Sequence, residues 1–265
     1  MNNIATDTLA PGSLAGLKIH RLTGHEPKLN MCIWGDSGTG KTQLAASADA
    51  VPQMRPVLVV DVEGGTETLR NSYPEVDVVR VKTWQQVQNL YNELYRGQHG
   101  YNTVVIDSLT EVQKFNMMQI MLDVVEKDSS RDPDIPSVRE WGKSLEQIRR
   151  FVRGFRDLPV HTIFTALSAD VKNERTGITT YSPSLPGKLR GEVAAFLDVV
   201  VYYYTKEVVT PPAQPGGETV TEMKRILLTR KTDTHVAKDR TNKLPQIVLD
   251  PTMKTLYELM YSKTS

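Results

Sequence analysis

One short loop constrains this chain more than any other stretch: Gly35-Asp36-Ser37-Gly38-Thr39-Gly40-Lys41-Thr42. The apolar run Leu29 to Trp34 precedes it, and the helix-forming run Gln43 to Ala48 follows. In a strand–loop–helix setting the glycines let successive backbone N–H groups turn inward on a phosphate, and the helix start adds a favourable dipole. Gly35 to Gln43, namely Gly35, Asp36, Ser37, Gly38, Thr39, Gly40, Lys41, Thr42 and Gln43, are the candidate nucleotide-binding residues. Lys41 is expected at the β- and γ-phosphates, and the Thr42 hydroxyl on Mg2+. Such a loop demands an α/β chain, because it joins a buried strand to a helix.

The rest of the chain agrees. Apolar β-type runs fall at 29–34, 57–61, 77–81, 103–106, 160–167 and 197–204, with predicted helices near 41–48, 83–96, 108–125 and 138–156. Buried runs alternating with helices predict a mostly parallel central sheet flanked by helices. In 138–156, Val138, Trp141, Leu145, Ile148, Val152 and Phe155 recur at three- and four-residue steps and predict one apolar stripe. After Gly187 the pattern turns to antiparallel strands, 197–209 and about 221–230, joined by a Pro/Gly loop. Residues 1–28 read as an N-terminal arm and 29–265 as a single core domain.

Two strands end in acids. Thr103-Val104-Val105-Ile106-Asp107-Ser108 places Asp107 either as the cap of the next helix or, beside a phosphate loop, as a carboxylate that holds Mg2+. Val57-Leu58-Val59-Val60-Asp61-Val62-Glu63 projects Glu63 from the carboxyl end of the sheet, where ligands of open α/β folds bind. A carboxylate there is either a solvated strand end or a group that polarises an attacking water.

The order of phosphate loop, strand ending Asp-x-Glu and strand ending Asp-Ser resembles the ATPase core of RecA-type recombinases, over roughly residues 29–245. The resemblance implies a RecA-like P-loop NTPase fold, Glu63 as catalytic base and Asp107 as the magnesium carboxylate. The chain is similar to the core-only version encoded by bacteriophages, which implies an ATP-dependent protein acting on single-stranded DNA in annealing or strand exchange. It further implies a homo-oligomer, ring or filament, with ATP at subunit interfaces, a single-strand binding protein as a partner, and the bacterial host cytoplasm as location.

Two segments lie where that family places DNA loops: Lys127 to Ser137, and Ala169 to Lys188. The second carries Lys172, Arg175 and Lys188 for phosphates and Tyr181 for stacking on a base. Asn173-Glu174-Arg175-Thr176-Gly177 also reads as the turn of a plain hairpin. The family completes its ATP site with cations from the neighbouring subunit, which maps onto Arg230 and Lys231, with Lys238 and Arg240 as substitutes. Where the family places a polar amide that senses the γ-phosphate after the strand Val160 to Phe164, this chain has Thr165-Ala166-Leu167-Ser168, which leaves Thr165 or Ser168 for a weaker version of that role. No Phe precedes Phe115, so the aromatic polymerisation anchor of some relatives is missing from the arm.

Composition narrows the alternatives. Lys+Arg number 32 against Asp+Glu 31, so any basic surface is local, as in 138–156 and 221–243. The single Cys32 fits a reducing compartment and a small core residue, and five scattered histidines give no zinc spacing. No apolar run is long enough to span a membrane, and Met1 to Ala10 lacks a secretory signal pattern. Two other readings share the phosphate loop: a hexameric helicase- or loader-type motor, and a nucleotide-switched regulator that binds proteins.

Overall fold

Successive residues of an extended strand point to opposite faces, and here both faces are apolar, so the sheet is covered on both sides. The computed structural model describes residues 13–14, 17–18, 28–210 and 220–262. In chain order the elements are β1 (Ser13–Leu14), β2 (Leu17–Lys18), β3 (Asn30–Gly35), α1 (Lys41–Ala46), β4 (Val57–Asp61), β5 (Asp77–Arg80), α2 (Trp84–Arg96), β6 (Thr103–Asp107), α3 (Leu109–Lys127) and α4 (Val138–Arg156). They continue with β7 (His161–Lys172), β8 (Thr179–Pro183), α5 (Leu189–Phe196), β9 (Val199–Thr210), β10 (Val220–Leu228), β11 (Lys238–Asp239), β12 (Ile247–Leu249) and α6 (Met253–Tyr261).

The main sheet runs β12-β10-β9-β3-β7-β6-β4-β5. From β9 to β5 all neighbours are parallel. Strand β10 is antiparallel to β9, and β12 to β10. This is the predicted α/β architecture, antiparallel strands toward the C-terminus included. Met31 and Ile33 face a layer made by α1 and α6, with Leu44, Met253 and Leu256. Cys32 and Trp34 face the opposite layer of α2, α3, α4 and α5, with Val87, Leu109, Phe155 and Val193. Cys32 is fully buried, as expected of a core residue, and burial pushes its thiol up to about 12.

The predicted runs fall within a few residues of the observed elements, with one correction of substance. Ile148, Val152 and Phe155 are buried, but Trp141 is 45% and Val138 89% exposed. The ion pair Lys143–Asp123 and the bond from Asn116 to Gln147 show that α3 and α4 run antiparallel as a hairpin. At the N-terminal end of α4 the stripe is exposed. Glu140 and Ser144 turn inward there instead, and a capping box of Ser137 and Glu140 starts α4. Nor is α4 a free basic face: Lys143 pairs with Asp123, Arg149 with Glu146 and Glu192, and Arg156 with Asp157, while Arg153 lies over the Phe196 ring. Apart from β1, β2 and Lys28, the arm assigned to 1–28 lies outside the described residues, as does the Pro/Gly loop at 211–219. Among the described residues no helix is long and apolar enough to cross a membrane.

His161 ties the first residues of β7 to β3, its Nδ1 accepting from the Leu29 N–H at 2.9 Å. Burial, with the Lys28 ammonium adding to it, lowers its pKa to about 4. The unfolded chain takes up this proton near the ordinary value and the folded one refuses it. Stability is therefore expected to be full above about pH 6.5 and to fall by on the order of 3 kcal/mol as pH drops toward 4. Urea unfolding across that range checks this, and His161→Gln should flatten the slope.

Candidate active site

The loop between β3 and α1 sits where the sheet's carboxyl edge opens. Strand β9 passes so close that a Cβ at Gly35 would collide with the Tyr203 carbonyl oxygen, which explains glycine there. Gly40 sits at φ 93, in the left-handed region, and its carbonyl accepts from the Leu44 N–H as α1 begins. Lys41 is buried, and its Nζ donates to the carbonyls of Gly35 at 3.0 Å and Asp36 at 2.7 Å. Burial lowers its pKa, against the opposing pull of the Glu63, Asp107 and Asp36 carboxylates. Thr39 Oγ1 closes the turn onto the Asp36 carbonyl at 3.0 Å. Ser37 and Gly38 are exposed at the loop's tip.

Strands β4 and β6 pair so that Asp61 lies level with Asp107, which brings the two acidic strand ends together. Asp107 is buried, and Thr42 Oγ1 donates to its Oδ2 at 2.7 Å. Its Oδ1 accepts from Thr165 Oγ1 on β7. The Asp107 carbonyl accepts from the N–H groups of Val62 at 2.8 Å and Glu63 at 3.3 Å, and Ser108 Oγ donates to Glu63 Oε1. The Glu63 side chain is otherwise exposed. Lys41, Thr42, Glu63 and Asp107, predicted from separate segments, thus form one cluster. Ser108 also caps α3, so the cap and the site are the same turn.

Thr42 and Asp107 present a hydroxyl and a carboxylate side by side, a hard oxygen pair that fits Mg2+. No group of three or more His, Cys, Asp or Glu side chains able to hold a metal exists among the described residues. The remaining positions on such an ion would fall to phosphate oxygens and water.

Asp61 and Arg225 carry no assignment from the sequence, whereas Ser168 stands there with Thr165 as a weaker substitute for the family's polar amide. Asp61 accepts from the Gly64 N–H at 2.6 Å and Thr66 Oγ1 at 2.8 Å, shaping the turn that carries Glu63. Ser168 donates to Asp36 Oδ1. Arg225 of β10 stands beside Gly40. The Asp-x-Glu spacing carries a signal for Asp61, whereas the other two contacts join residues more than a hundred positions apart.

The remaining predicted residues lie elsewhere. Lys172, Arg175 and Tyr181 are exposed on the β7–β8 hairpin, whose Asn173-to-Gly177 stretch is the expected turn. The Tyr181 ring stacks on His235 at 4.8 Å and is 37% exposed. Lys188 is exposed at the start of α5. In the other proposed DNA loop, Asp128, Asp132 and Asp134 are exposed and Arg131 pairs with Glu140. Arg230 and Lys231 are exposed just past β10, where Arg230 donates to the Leu244 carbonyl at 3.3 Å. Among the described residues neither has a hydrogen bond or ion pair to the phosphate loop of its own chain. Lys238 is committed to the Ala194 and Leu197 carbonyls, and Arg240 to Asp198. These bonds correct their reading as substitutes, since both hold the end of α5 in place.

The sequence profile described as an AAA domain matches residues 27–241. No curated protein matches the chain in sequence. Among solved structures, the RadB recombinase is similar over 75% of this chain and 78% of its own, at 14% identity and a TM-score of 0.40. A prototypical ATPase from the type III secretion system of pathogenic bacteria matches at 17% identity and TM-score 0.41, over 65% of this chain and 50% of its own. The type III secretion ATPase EscN from enteropathogenic E. coli matches at 15% and 0.40, over 66% of this chain and 42% of its own. The chain thus spans half or less of these two secretion ATPases.

Proposed function

Since this chain belongs to the AAA domain family and is an ATPase of that type, we propose that it hydrolyses ATP with Mg2+ and acts on single-stranded DNA, promoting annealing or strand exchange. The observation that carries the hydrolytic half is the bonded series Thr42–Asp107 and Ser108–Glu63 at two adjacent strand ends. With ATP in the loop, Lys41 exchanges the Gly35 and Asp36 carbonyls for phosphate oxygens. Thr42 and Asp107 would hold Mg2+, which neutralises charge on the phosphates. Glu63, oriented by Ser108, accepts a proton from water as the water oxygen attacks the γ-phosphorus. The bond from that phosphorus to the β–γ bridging oxygen breaks, leaving ADP and phosphate.

The DNA half rests on the β7–β8 hairpin, which presents Lys172, Arg175 and Tyr181 to solvent, with Lys188 nearby in sequence. The acidic 128–137 loop, and α4 with Arg139 and Arg150 as its bases that have no ion pair or ring contact among the described residues, are weaker candidates. In this reading the protein works in the host cytoplasm as a homo-oligomer, ring or filament, beside a single-strand binding protein. Arg230 and Lys231 then act on the neighbouring subunit's ATP.

Turnover of ATP measured with and without single-stranded oligonucleotide tests the proposal. Stimulation supports it, and unchanged turnover favours a nucleotide-switched regulator. Annealing of complementary strands without duplex unwinding separates it from a helicase-type motor. Within the hairpin, Lys172→Ala and Arg175→Ala are each expected to lower the salt slope of oligonucleotide affinity by roughly 0.7. Tyr181→Ala should cost about 1–3 kcal/mol of affinity with that slope nearly unchanged. Binding titrations at several salt concentrations read both, and variants that bind like wild type throughout leave this hairpin without a DNA role.

A further inference from the structure

We propose that Arg225 is a phosphate-contacting cation supplied by the same chain as the loop, an inference that rests on the loop holding ATP. The sequence pointed to Arg230 and Lys231, further along, as cations for a neighbour's site. The structure brings a different residue of β10 to the loop itself. Arg225 pairs with Thr205 of β9, past Tyr202, which is level with Trp34 of β3. From there its side chain crosses to the loop, with Nε 3.3 Å and Cζ 3.9 Å from where a Cβ on Gly40 would stand. It also lines a cavity of about 460 Å³ together with Gln43, the first residue after the Lys-Thr pair.

Two features make this placement deliberate. The backbone is clamped: the Arg225 N–H donates to Asp250 Oδ1 at 3.0 Å, and the Asp250 N–H returns to the Arg225 carbonyl at 2.7 Å. The neighbouring Lys224 pairs with Asp250 and Glu222. The Arg225 guanidinium has no salt bridge among the described residues. An uncommitted guanidinium at a phosphate loop is a geometric match for a phosphate oxygen pair. The charge balance points the same way. Lys41 already faces Glu63, Asp107 and Asp36, and a nucleoside triphosphate with Mg2+ adds further negative charge.

The test uses the full chain and MgATP. Arg225→Ala is expected to weaken MgATP binding by about 10- to 100-fold, the scale of a hydrogen bond between charged groups, and Arg225→Lys should recover part of the loss. Thermal unfolding without nucleotide should match wild type, because the exposed side chain makes no salt bridge. Arg225→Ala binding MgATP like wild type, while Lys41→Ala does not, overturns the proposal and leaves the loop reading standing. If Lys41→Ala also binds like wild type, the loop reading falls and takes this inference with it. Equimolar mixtures of Glu63→Gln and Arg225→Ala chains decide which subunit is served. Turnover no higher than the mean of the two variants supports action within one chain. Recovery above that mean shows that Arg225 completes a neighbour's site and overturns the assignment.

Discussion

Lys41→Ala is expected to abolish tight MgATP binding and turnover while the fold survives. Its ammonium is buried at the base of the loop, 3.0 and 2.7 Å from two backbone carbonyls that it can exchange for phosphate oxygens. Removing it strips the best-placed positive charge from a site that holds three carboxylates. Each hydrogen bond between charged groups is worth about 1.5–3 kcal/mol, so two of them correspond to a loss of 100-fold or more in affinity. The fold should lose less, because Asp36 is exposed and water can serve its carbonyl, so that only the buried Gly35 carbonyl is left without this donor. Calorimetric titration with MgATP and a thermal melt on the same preparation separate the two effects. Wild-type turnover in this variant would remove the basis for assigning the loop to phosphates.

Glu63→Gln is expected to do the opposite: keep MgATP bound and slow its hydrolysis by about 10²–10⁴-fold, the usual cost of losing a general base. The amide oxygen can still accept from Ser108 Oγ, so the side chain keeps its orientation, but it cannot take the proton of an attacking water. The Asp107 carbonyl receives the Glu63 N–H whatever the side chain, so the backbone turn is preserved. Single-turnover hydrolysis alongside equilibrium binding reads the split. Normal hydrolysis would mean that the base lies elsewhere and that the alignment of β4 with its proposed relatives is wrong.

The parts of this site that were legible in sequence are those encoded within a few consecutive residues. The loop from Gly35 to Thr42 carries its chemistry in its spacing, and Asp107 and Glu63 stand out because acids interrupt apolar strands. What stayed hidden depends on pairing between distant segments. Thr165 and Ser168 stand out as polar residues at a strand end, but their bonds to Asp107 and Asp36, and the approach of Arg225 to Gly40, come only from sheet neighbours fixed by topology. The α4 stripe shows the same limit: period 3.6 reveals an apolar face but not where the layer beneath it ends, hence the exposed Val138 and Trp141. Its basic residues looked free because their acidic partners, Asp123 and Glu192, belong to other helices. The short helix α5 was missed among the antiparallel strands. Helix α6, with Met253, Leu256 and Met260 buried at helical steps, is likewise absent from the elements expected from sequence.

Strand β7 is unbroken from His161 to Lys172: its first half is buried in the parallel sheet and its second half forms the exposed hairpin. Thr165, bonded to Asp107, and Ser168, bonded to Asp36, lie on the same strand as Lys172. From Thr165 to Lys172 the extended backbone spans roughly 23 Å. No glycine or proline interrupts this length, so the chain places no residue there that favours a hinge. A shift of either aspartate when nucleotide binds is therefore expected to reach the hairpin along this one strand, and oligonucleotide bound at the hairpin is expected to change turnover by the same route. Lengthening the strand with a flexible insertion after Ser168 is expected to leave each end able to bind its own ligand while turnover no longer responds to oligonucleotide at the hairpin.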